Sequence, residues 1–404
     1  MSVLPLPILL GGDLNCYSMA LGFYEAGVAP SVALGRYRLG VTSNSRFVLP
    51  VSDPKMAYDA GRIAMIREVA NRHPDRRPVL VGCTDEYASF LIRRKEELGE
   101  EFLIPSPPPY ILPYADKAKF HDLCRSEEIP VPKTCILNGD EEIPAVLPFL
   151  YPAVLKPGNS EEYWHHPFSD MRKVYFPQSR AEAEKIRLQI RNAGYCGAIL
   201  LQERIPISDS DNYVLTVYSD RFGRAVAAAF GRVLLEEHTP KGLGNHAAII
   251  TEKAPPIVKK LAQLMERIGY RGFANFDLLR HPGSGEWYVL EMNLRQGRSN
   301  HYMTAAGLNP AGLILRDHWE GQELAYEETS ADILWHSVPL SVLFSLQKDE
   351  ALIKRMKRLV DLGRSVSPYH MKAELWGNPL RRFFVMEHER RTRCRFAKLA
   401  AGKV

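Results

Sequence analysis

Two apolar segments joined by a polar turn form the pattern that most restricts how this chain of 404 residues can fold. Residues 273–280 (FANFDLLR) and 287–295 (WYVLEMNLR) flank the turn HPGSGE at 281–286. Apolar runs around a turn that contains Gly and Pro predict a β-hairpin. Acidic and amide side chains recur at alternate positions within both runs, so the hairpin is predicted to carry a polar face.

The polar face follows from the two-residue period of a strand. Glu291 and Asn293 point the same way, and Val289 is predicted to share that face. On the partner strand, Asn275 and Asp277 share a face, and hairpin pairing places the two rows side by side. Hard oxygen ligands on neighbouring strands suit Mg²⁺, which binds few protein carboxylates and completes its shell with phosphate and water. Two solvated strands explain the E-x-N spacing equally well.

Three basic residues extend this hypothesis toward an anionic ligand. Arg295 follows the polar row and offers a planar fork for phosphate or carboxylate. Lys156 ends the apolar segment YPAVLKPG, where a charge is costly unless it meets an anion or extends to water. Lys117 lies in the first turn of a helix predicted to begin at Asp116, where its charge opposes the helix dipole.

A fourth segment has the features of a nucleotide-binding strand. The apolar run AILL leads into a polar stretch whose backbone groups are suited to an adenine edge, and a later carboxylate is suited to ribose hydroxyls. A simple strand-to-loop transition with solvated acids is the alternative. The residues are Gln202, Glu203, Arg204 and Ile205, followed by Asp209 and Asp211.

The rest of the chain predicts an α/β and α+β protein. Strands alternate with helical patterns at the start of the chain, which indicates a parallel α/β sheet. Beyond residue 310 the pattern is helical and ends in a basic extension. The sequence predicts an α/β domain at residues 1–112, followed by a larger unit with a small subdomain at 113–200 and a large subdomain at 201–325. A helical C-terminal region is predicted at residues 326–404.

Composition excludes several classes of protein. The 46% hydrophobic and 25% charged residues are typical of a globular chain. The six cysteines are scattered and form no CxxC pair, which argues against a zinc site and suits a reducing, cytoplasmic location. No apolar stretch reaches about 18 residues, so no membrane span is expected. A net charge of +5 does not by itself imply nucleic acid.

Taken in order, Lys117, Lys156, the Gln202–Glu203 pair, Asp277 and the Glu291-x-Asn293 motif resemble the ATP-grasp superfamily of carboxylate–amine ligases. The resemblance covers about residues 110–310, and the preceding segment is similar to the pre-ATP-grasp domain of that superfamily. It implies an ADP-forming ligase that activates a carboxylate as an acyl phosphate and joins it to an amine. ATP and Mg²⁺, usually two ions, are the implied cofactors.

The resemblance also implies a role for each matching residue. By this resemblance, Lys117 and Lys156 reach the ATP phosphates, and the linker strand of Gln202, Glu203, Arg204 and Ile205 holds adenine. Asp209 binds ribose, with Asp211 as its rival. Asp277, Glu291 and Asn293 hold Mg²⁺, and Arg295 and Arg298 steady the acyl phosphate.

Two positions depart from the pattern of the superfamily. The segment PGNSEEYWHHPF, which follows Lys156, has less glycine than the usual phosphate loop. Asn275 stands where many amino-acid ligases of the group have an arginine two residues before the metal aspartate. Phosphate coverage is therefore the part of the resemblance that matches least.

Residues 212–236 and 291–310 are similar to the peptidoglycan D-aspartate ligase branch, which attaches the β-carboxylate of D-aspartate to a lysine amine of a cell-wall precursor. Another carboxylate–amine ligase that makes a small peptide is the alternative, and a non-catalytic ATP-binding regulator is a second. The residues considered for substrate are Arg232, Arg295, Arg298, His246, His301, Asp13 and Asn15.

The basic end of the chain has two interpretations. Residues 378–404 hold eight Lys or Arg against two Glu, with aromatic residues between them. This pattern suits peripheral contact with an anionic membrane, and it also fits a solvated helix face. Nucleic acid is not an expected partner. The predicted partners are a small amino acid and an amine-bearing acceptor, and a dimer is compatible with the superfamily.

Overall fold

The computed structural model describes residues 4–237 and 244–400, without the side chain of Ala400. Within these ranges, no helix combines the length and the apolar character needed to cross a bilayer.

The N-terminal part is a parallel sheet with helices, as predicted. Its elements are β1 (Leu4–Leu10), α1 (Leu14–Glu25), β2 (Ser31–Gly35), β3 (Val48–Ser52), α2 (Asp59–Asn71), β4 (Arg76–Gly82) and α3 (Asp85–Leu98). The strand order is β3-β2-β1-β4, and all three pairings are parallel. The first helix begins at Asp13, whose carboxylate accepts a bond from the backbone N–H of Cys16 at 3.2 Å. Asp13 is thus the N-cap that the sequence indicated.

The next part of the chain forms a small antiparallel sheet and three helices. The elements, in chain order, are α4 (Lys117–Ser126), β5 (Thr134–Leu137), β6 (Ala153–Pro157), α5 (Ser160–Tyr163), α6 (Arg180–Asn192) and β7 (Ile199–Glu203). The strand order is β5-β7-β6. Leu155 and Leu201 face a core shared with Ile190, so the alternate residues Val154, Lys156 and Gln202 are turned away from that core.

A large sheet forms the centre of the molecule. Its strands are β8 (Asn212–Ser219), β9 (Ala225–Glu236), β10 (His246–Thr251), β11 (Gly272–Arg280), β12 (Trp287–Asn293), β13 (Glu327–Glu328), β14 (Leu334–His336) and β15 (Ser365–Val366). The order is β12-β11-β8-β9-β10-β14-β15, and β13 pairs with β9.

Both faces of the large sheet are covered. Along β8, Leu215 and Val217 pack with the helix α7 (Pro256–Arg267), whereas Val214 and Tyr218 pack with α1. The helices α8 (His301–Ala305) and α9 (Pro310–Ile314) contribute to the core on the α1 side. The central sheet therefore joins the N-terminal sheet to the rest of the molecule through one continuous core.

The predicted hairpin exists, but a β-bulge changes one of its faces. Asp277 pairs with Glu291, whereas Leu278 pairs with Val289, so Leu290 is an extra residue on β12. Val289 is fully buried in the core, and Leu290 lies on the same side as Glu291. The prediction that Val289 shares the face of Glu291 is wrong, because one inserted residue reverses the alternation.

The C-terminal region ends in helices, as predicted, but it is not helical throughout. Its helices are α10 (Leu340–Leu346), α11 (Glu350–Asp361), α12 (Lys372–Leu375) and α13 (Pro379–Ala400). The strands β14 and β15 extend the large sheet from within this region, because the run of residues 333–336 is buried against β10. The predicted domain bounds stay a prediction.

Candidate active site

A cleft of about 430 Å³ lies between the small sheet and the large sheet. One wall comes from α4, β6 and β7, and the other from β9, β11 and β12. The cleft brings together ten of the residues that the sequence singled out: Lys117, Lys156, Gln202, Glu203, Arg204, Ile205, Asp209, His246, Asp277 and Glu291.

The N-terminus of α4 places Lys117 at one end of this cleft. Asp116 caps the helix by accepting bonds from the backbone N–H groups of Ala118 and Lys119. The backbone N–H of Lys117 donates to the carbonyl of Gly158 at 3.1 Å, which joins α4 to the end of β6. A Cβ at position 158 would lie 2.6 Å from Oδ2 of Asp116, so this close approach requires glycine. Lys117 and β6 are therefore held side by side.

The polar end of the cleft is an ionic cluster around Glu291. The Nζ of Lys117 lies 3.0 Å from Oε2 of Glu291 and 3.0 Å from Oγ of Ser160. The Nζ of Lys173 lies 4.0 Å from Oε1 of the same carboxylate. Neither Ser160 nor Lys173 was predicted from the sequence. Both lie in the segment after β6, whose start was noted from the sequence for having less glycine than the usual phosphate loop.

The two acids of the hairpin have opposite pKa shifts. Burial and the neighbouring Glu291 raise the pKa of Asp277 well above its usual value. Burial alone would raise the pKa of Glu291, but the ammonium groups of Lys117 and Lys173 together hold it well below its usual value. Burial lowers the pKa of Lys156 to about 8. The cleft therefore concentrates charges that are costly without a ligand or partner.

The donor set of the acid pair fits a hard cation. In the described ranges no group of three or more His, Cys, Asp or Glu residues is arranged for a metal ion. Two carboxylates on adjacent strands, with the amide of Asn293 beside them, instead match Mg²⁺ that takes its other oxygens from phosphate. His246 also lies nearby, with Nε2 3.9 Å from Oδ1 of Asp277. Burial lowers the pKa of His246 to about 4, so the ring is a neutral neighbour.

The opposite end of the cleft is apolar. The guanidinium of Arg204 stands over the ring of Phe176, 5.2 Å from its centroid. Gln202 does not point its amide freely into the cleft, because Nε2 donates to Oγ1 of Thr134 at 2.8 Å. The apolar side chains that line this end suit the faces of a flat ring system: Val154, Phe176, Ile205, Ile207, Tyr213, Leu279 and Leu290.

The two acids after β7 have different surroundings. Asp209 lines the cleft, and its Oδ2 accepts a bond from the backbone N–H of Glu236 at 3.1 Å. Asp211 instead accepts bonds from the backbone N–H and the hydroxyl of Ser208, which completes a capping box. The sequence left open which of the two acids contacts ribose. The structure favours Asp209, because its side chain faces the cleft.

Three predicted residues lie outside the lining of this cleft. Nδ2 of Asn293 is 3.5 Å from the carbonyl of Asn275 on the partner strand. Arg295 forms a two-pronged ion pair with Asp85 at the start of α3, with Nε and Nη2 at 2.7 and 3.1 Å from the carboxylate oxygens. Arg298 makes a single contact with Glu237 at 3.3 Å. Of the three, Arg295 thereby reaches the N-terminal part of the molecule.

Two residues that were considered for substrate binding are instead buried in the interior of the protein. Asn15 is buried and exchanges hydrogen bonds with Gln296 at 3.1 Å, and its Oδ1 also accepts from Asn300 at 2.8 Å. It thereby ties α1 to the segment after β12. His301 is buried in α8, and burial lowers its pKa to about 4. The prediction that Asn15 faces substrate is wrong, because its side chain is buried and its amide bonds to Gln296 and Asn300.

Comparison with known proteins places this geometry in a family. No known protein-family model matches the chain. It is 32% identical over 379 residues to the D-aspartate ligase of Enterococcus faecium, and the match covers 89% of this chain and 88% of that protein.

Solved structures identify the fold. The ADP complex of N5-carboxyaminoimidazole ribonucleotide synthetase matches with a TM-score of 0.60 at 15% identity, over 89% of this chain and 86% of that one. The L-amino acid ligase from Bacillus licheniformis matches with a TM-score of 0.55 at 16% identity, over 78% and 74% of the two chains. These neighbours confirm the predicted ATP-grasp fold. The 32% identity over 89% of this chain to the Enterococcus faecium enzyme shows that the chain belongs to the D-aspartate ligase family of carboxylate–amine ligases.

Proposed function

We propose that this chain phosphorylates the β-carboxylate of D-aspartate with ATP and joins it to the lysine amine of a peptidoglycan precursor peptide. The observation that carries the proposal is the cleft in which Lys117 and Lys156 meet the acid pair of Asp277 and Glu291. Family membership makes the chain an ATP-dependent, ADP-forming ligase. The D-aspartate ligase relative supports the choice of amino acid.

The residues of the cleft suit phosphoryl transfer to a carboxylate. Lys117 and Lys156 neutralise and orient the phosphate tail, while the apolar end holds adenine. Asp277, Glu291 and Asn293 would hold Mg²⁺, which would supply positive charge to the phosphate oxygens. The substrate carboxylate attacks the γ-phosphorus and releases ADP. The amine nitrogen then attacks the acyl carbon and displaces phosphate, so no nucleophilic side chain of the protein is needed.

A screen for ADP release tests this proposal directly. The purified chain is incubated with ATP, Mg²⁺ and a panel of D- and L-amino acids, each with and without a lysine-containing precursor peptide. We expect ADP formation that depends on D-aspartate, and an amide product when the peptide is present. The absence of amino-acid-dependent ADP formation under every condition would contradict the ligase assignment. If other amino acids stimulate ADP formation and D-aspartate does not, the substrate is one of those amino acids and not D-aspartate.

The amino acid keeps its α-carboxylate throughout the reaction, so its binding site needs a cation. Arg295 is committed to Asp85, and Arg232 donates to the carbonyl of Ser210 near the apolar end of the cleft. Among the described residues, the ion pair of Arg298 is its 3.3 Å contact with Glu237, and its side chain is 30% exposed. The neighbouring Gly297 packs against Asn275, which places Arg298 beside the polar row of the hairpin. We therefore assign the α-carboxylate to Arg298.

Replacement of Arg298 by alanine is expected to raise the KM for the amino acid by about 10- to 100-fold, because a charge-assisted hydrogen bond contributes roughly 1.5–3 kcal/mol. The KM for ATP is expected to change little. Steady-state kinetics with each substrate varied in turn would measure the difference. Arg280→Ala, at an exposed position of the same hairpin, is the control. An equal rise of both KM values would argue against this assignment.

The acceptor and a membrane contact stay predictions from the sequence. Three exposed arginines of α13 pair with acids on the same helix: Arg390 and Arg391 contact Glu387, and Arg393 contacts Glu389. Such internal pairing reduces the charge available to an anionic surface. It favours the interpretation of a solvated helix face.

A further inference from the structure

The segment between β6 and Tyr175 occupies the place of a phosphate loop, yet its backbone is unsuited to that role. Leu155 and Tyr175 exchange two backbone hydrogen bonds of 2.9 Å, so the segment leaves β6 and returns beside it. Between these two residues only Gly158 is a glycine. Phosphate-binding loops usually rely on glycine, because backbone N–H groups must approach the anion closely.

Most of the backbone donors at the start of this segment already have partners. The N–H of Asn159 donates to the hydroxyl of Tyr195 at 3.0 Å, and the N–H of Glu162 donates to the side chain of Asn159 at 3.2 Å. The next N–H groups, from Tyr163 through residue 166, donate to carbonyls within the segment. A phosphate placed against this loop would therefore find few backbone donors, so its charge must be met by side chains.

Lys173 supplies a cation where the loop returns. Its Nζ lies 4.0 Å from Oε1 of Glu291. On the other side, a Cβ at Gly244 would lie 3.1 Å from the same Nζ, so the ammonium group lies between Glu291 of β12 and the segment just before β10. The side chain lines the cleft together with Lys117 and Lys156.

The balance of charge at this end of the cleft points to an anionic ligand. Three ammonium groups, those of Lys117, Lys156 and Lys173, face the two carboxylates of Asp277 and Glu291. When these carboxylates coordinate a cation, they no longer neutralise the lysines. An incoming group with several negative oxygens would then satisfy all three.

We propose that Lys173 is a third phosphate-binding cation, which contacts the terminal phosphoryl group of ATP in place of the backbone amides of a glycine-rich loop. The inference rests on the proposed function, because it assumes that ATP binds in this cleft. Lys173 lies beside the acid pair and away from the apolar end, so it is assigned to the γ-phosphate. The resemblance to the superfamily implied two phosphate-binding lysines, Lys117 and Lys156. A third lysine would explain how the site binds phosphate although the segment after β6 has little glycine.

The test compares two nucleotides in binding experiments that require no turnover. For Lys173→Met, we expect the affinity for a non-hydrolysable ATP analogue with Mg²⁺ to fall by about 10- to 100-fold, as for a lost charge-assisted bond. The affinity for ADP with Mg²⁺ is expected to stay within about threefold, because ADP lacks the group that Lys173 contacts. Lys173→Arg keeps the charge and is expected to recover most of the affinity for the analogue.

Arg172→Met is the matched control, since Arg172 is the preceding residue and its side chain is exposed. It should bind both nucleotides like the unaltered chain. Equal losses for the two nucleotides in Lys173→Met, or no loss for the analogue, would overturn the assignment of Lys173 and leave the proposed function standing. If the unaltered chain binds neither nucleotide and releases no ADP, the proposed function fails and the assignment fails with it.

Discussion

Replacement of Glu291 by glutamine is expected to lower amino-acid-dependent ADP formation by about 10³-fold or more, because the site loses a negative charge that helps to hold Mg²⁺ against the transferring phosphoryl group. Glu291 contacts Lys117 at 3.0 Å and stands opposite Asp277 in the hairpin register. A neutral amide of the same size can neither balance Mg²⁺ nor hold the lysines in place. The rate of ADP release with saturating D-aspartate and ATP measures the loss.

A control at the tip of the same hairpin separates this effect from damage to the fold. Glu286→Gln changes an exposed carboxylate that contacts Ser284 and Tyr288. It is expected to keep full activity. Both variants should show the far-UV circular dichroism of the unaltered chain. An active Glu291→Gln protein would contradict the metal assignment, and it would also remove the basis for placing ATP phosphates at this end of the cleft.

The polar rows of the hairpin could be predicted from the sequence, because they depend on local alternation. Asp277 and Glu291 meet as expected, since strand pairing converts a period of two into a shared face. The bulge at Leu290 could not be predicted in the same way. It changes the pairing register without changing composition, and it exchanges the faces of Val289 and Leu290.

Contacts between distant segments were the other part that the sequence did not indicate. Lys173 reaches Glu291 because the segment after β6 folds back beside that strand. Arg295 was assigned to phosphate or carboxylate, yet Asp85, far away in the chain, occupies its guanidinium. An isolated charged residue has no periodic pattern, so its partner is decided by tertiary packing.

The basic C-terminal helix shows how composition can conceal a buried role. Residues 378–404 were interpreted as a surface helix or tail, but Arg381, Val385 and Phe396 on α13 are buried. The guanidinium carbon of Arg381 lies 4.4 Å from the ring centroid of Tyr17, on α1. Its Nη1 donates to the carbonyl of Val41 at 2.6 Å. The helix therefore closes the N-terminal part of the molecule.

Replacement of Arg381 by methionine is expected to lower the free energy of unfolding by about 3–5 kcal/mol, because it leaves a buried carboxylate without its counter-charge. Nε of Arg381 lies 3.7 Å from Oε1 of Glu374, and both side chains are fully buried. Urea denaturation of the full chain would measure the loss. Arg390→Met removes an arginine that is 64% exposed on the same helix, and it should cost no more than about 0.5 kcal/mol.

The loss caused by Arg381→Met is also expected to depend on pH. Burial already raises the pKa of Glu374, and removal of Arg381 raises it further. The folded state then binds a proton that the unfolded state has released, so stability falls as pH rises above the unfolded pKa of the carboxyl group. The destabilisation should therefore be larger at pH 8 than at pH 5. The double variant Arg381→Met/Glu374→Gln should recover part of the stability and lose the pH dependence. If the single and the double variant are equally destabilised at both pH values, the loss comes from packing against Tyr17 instead.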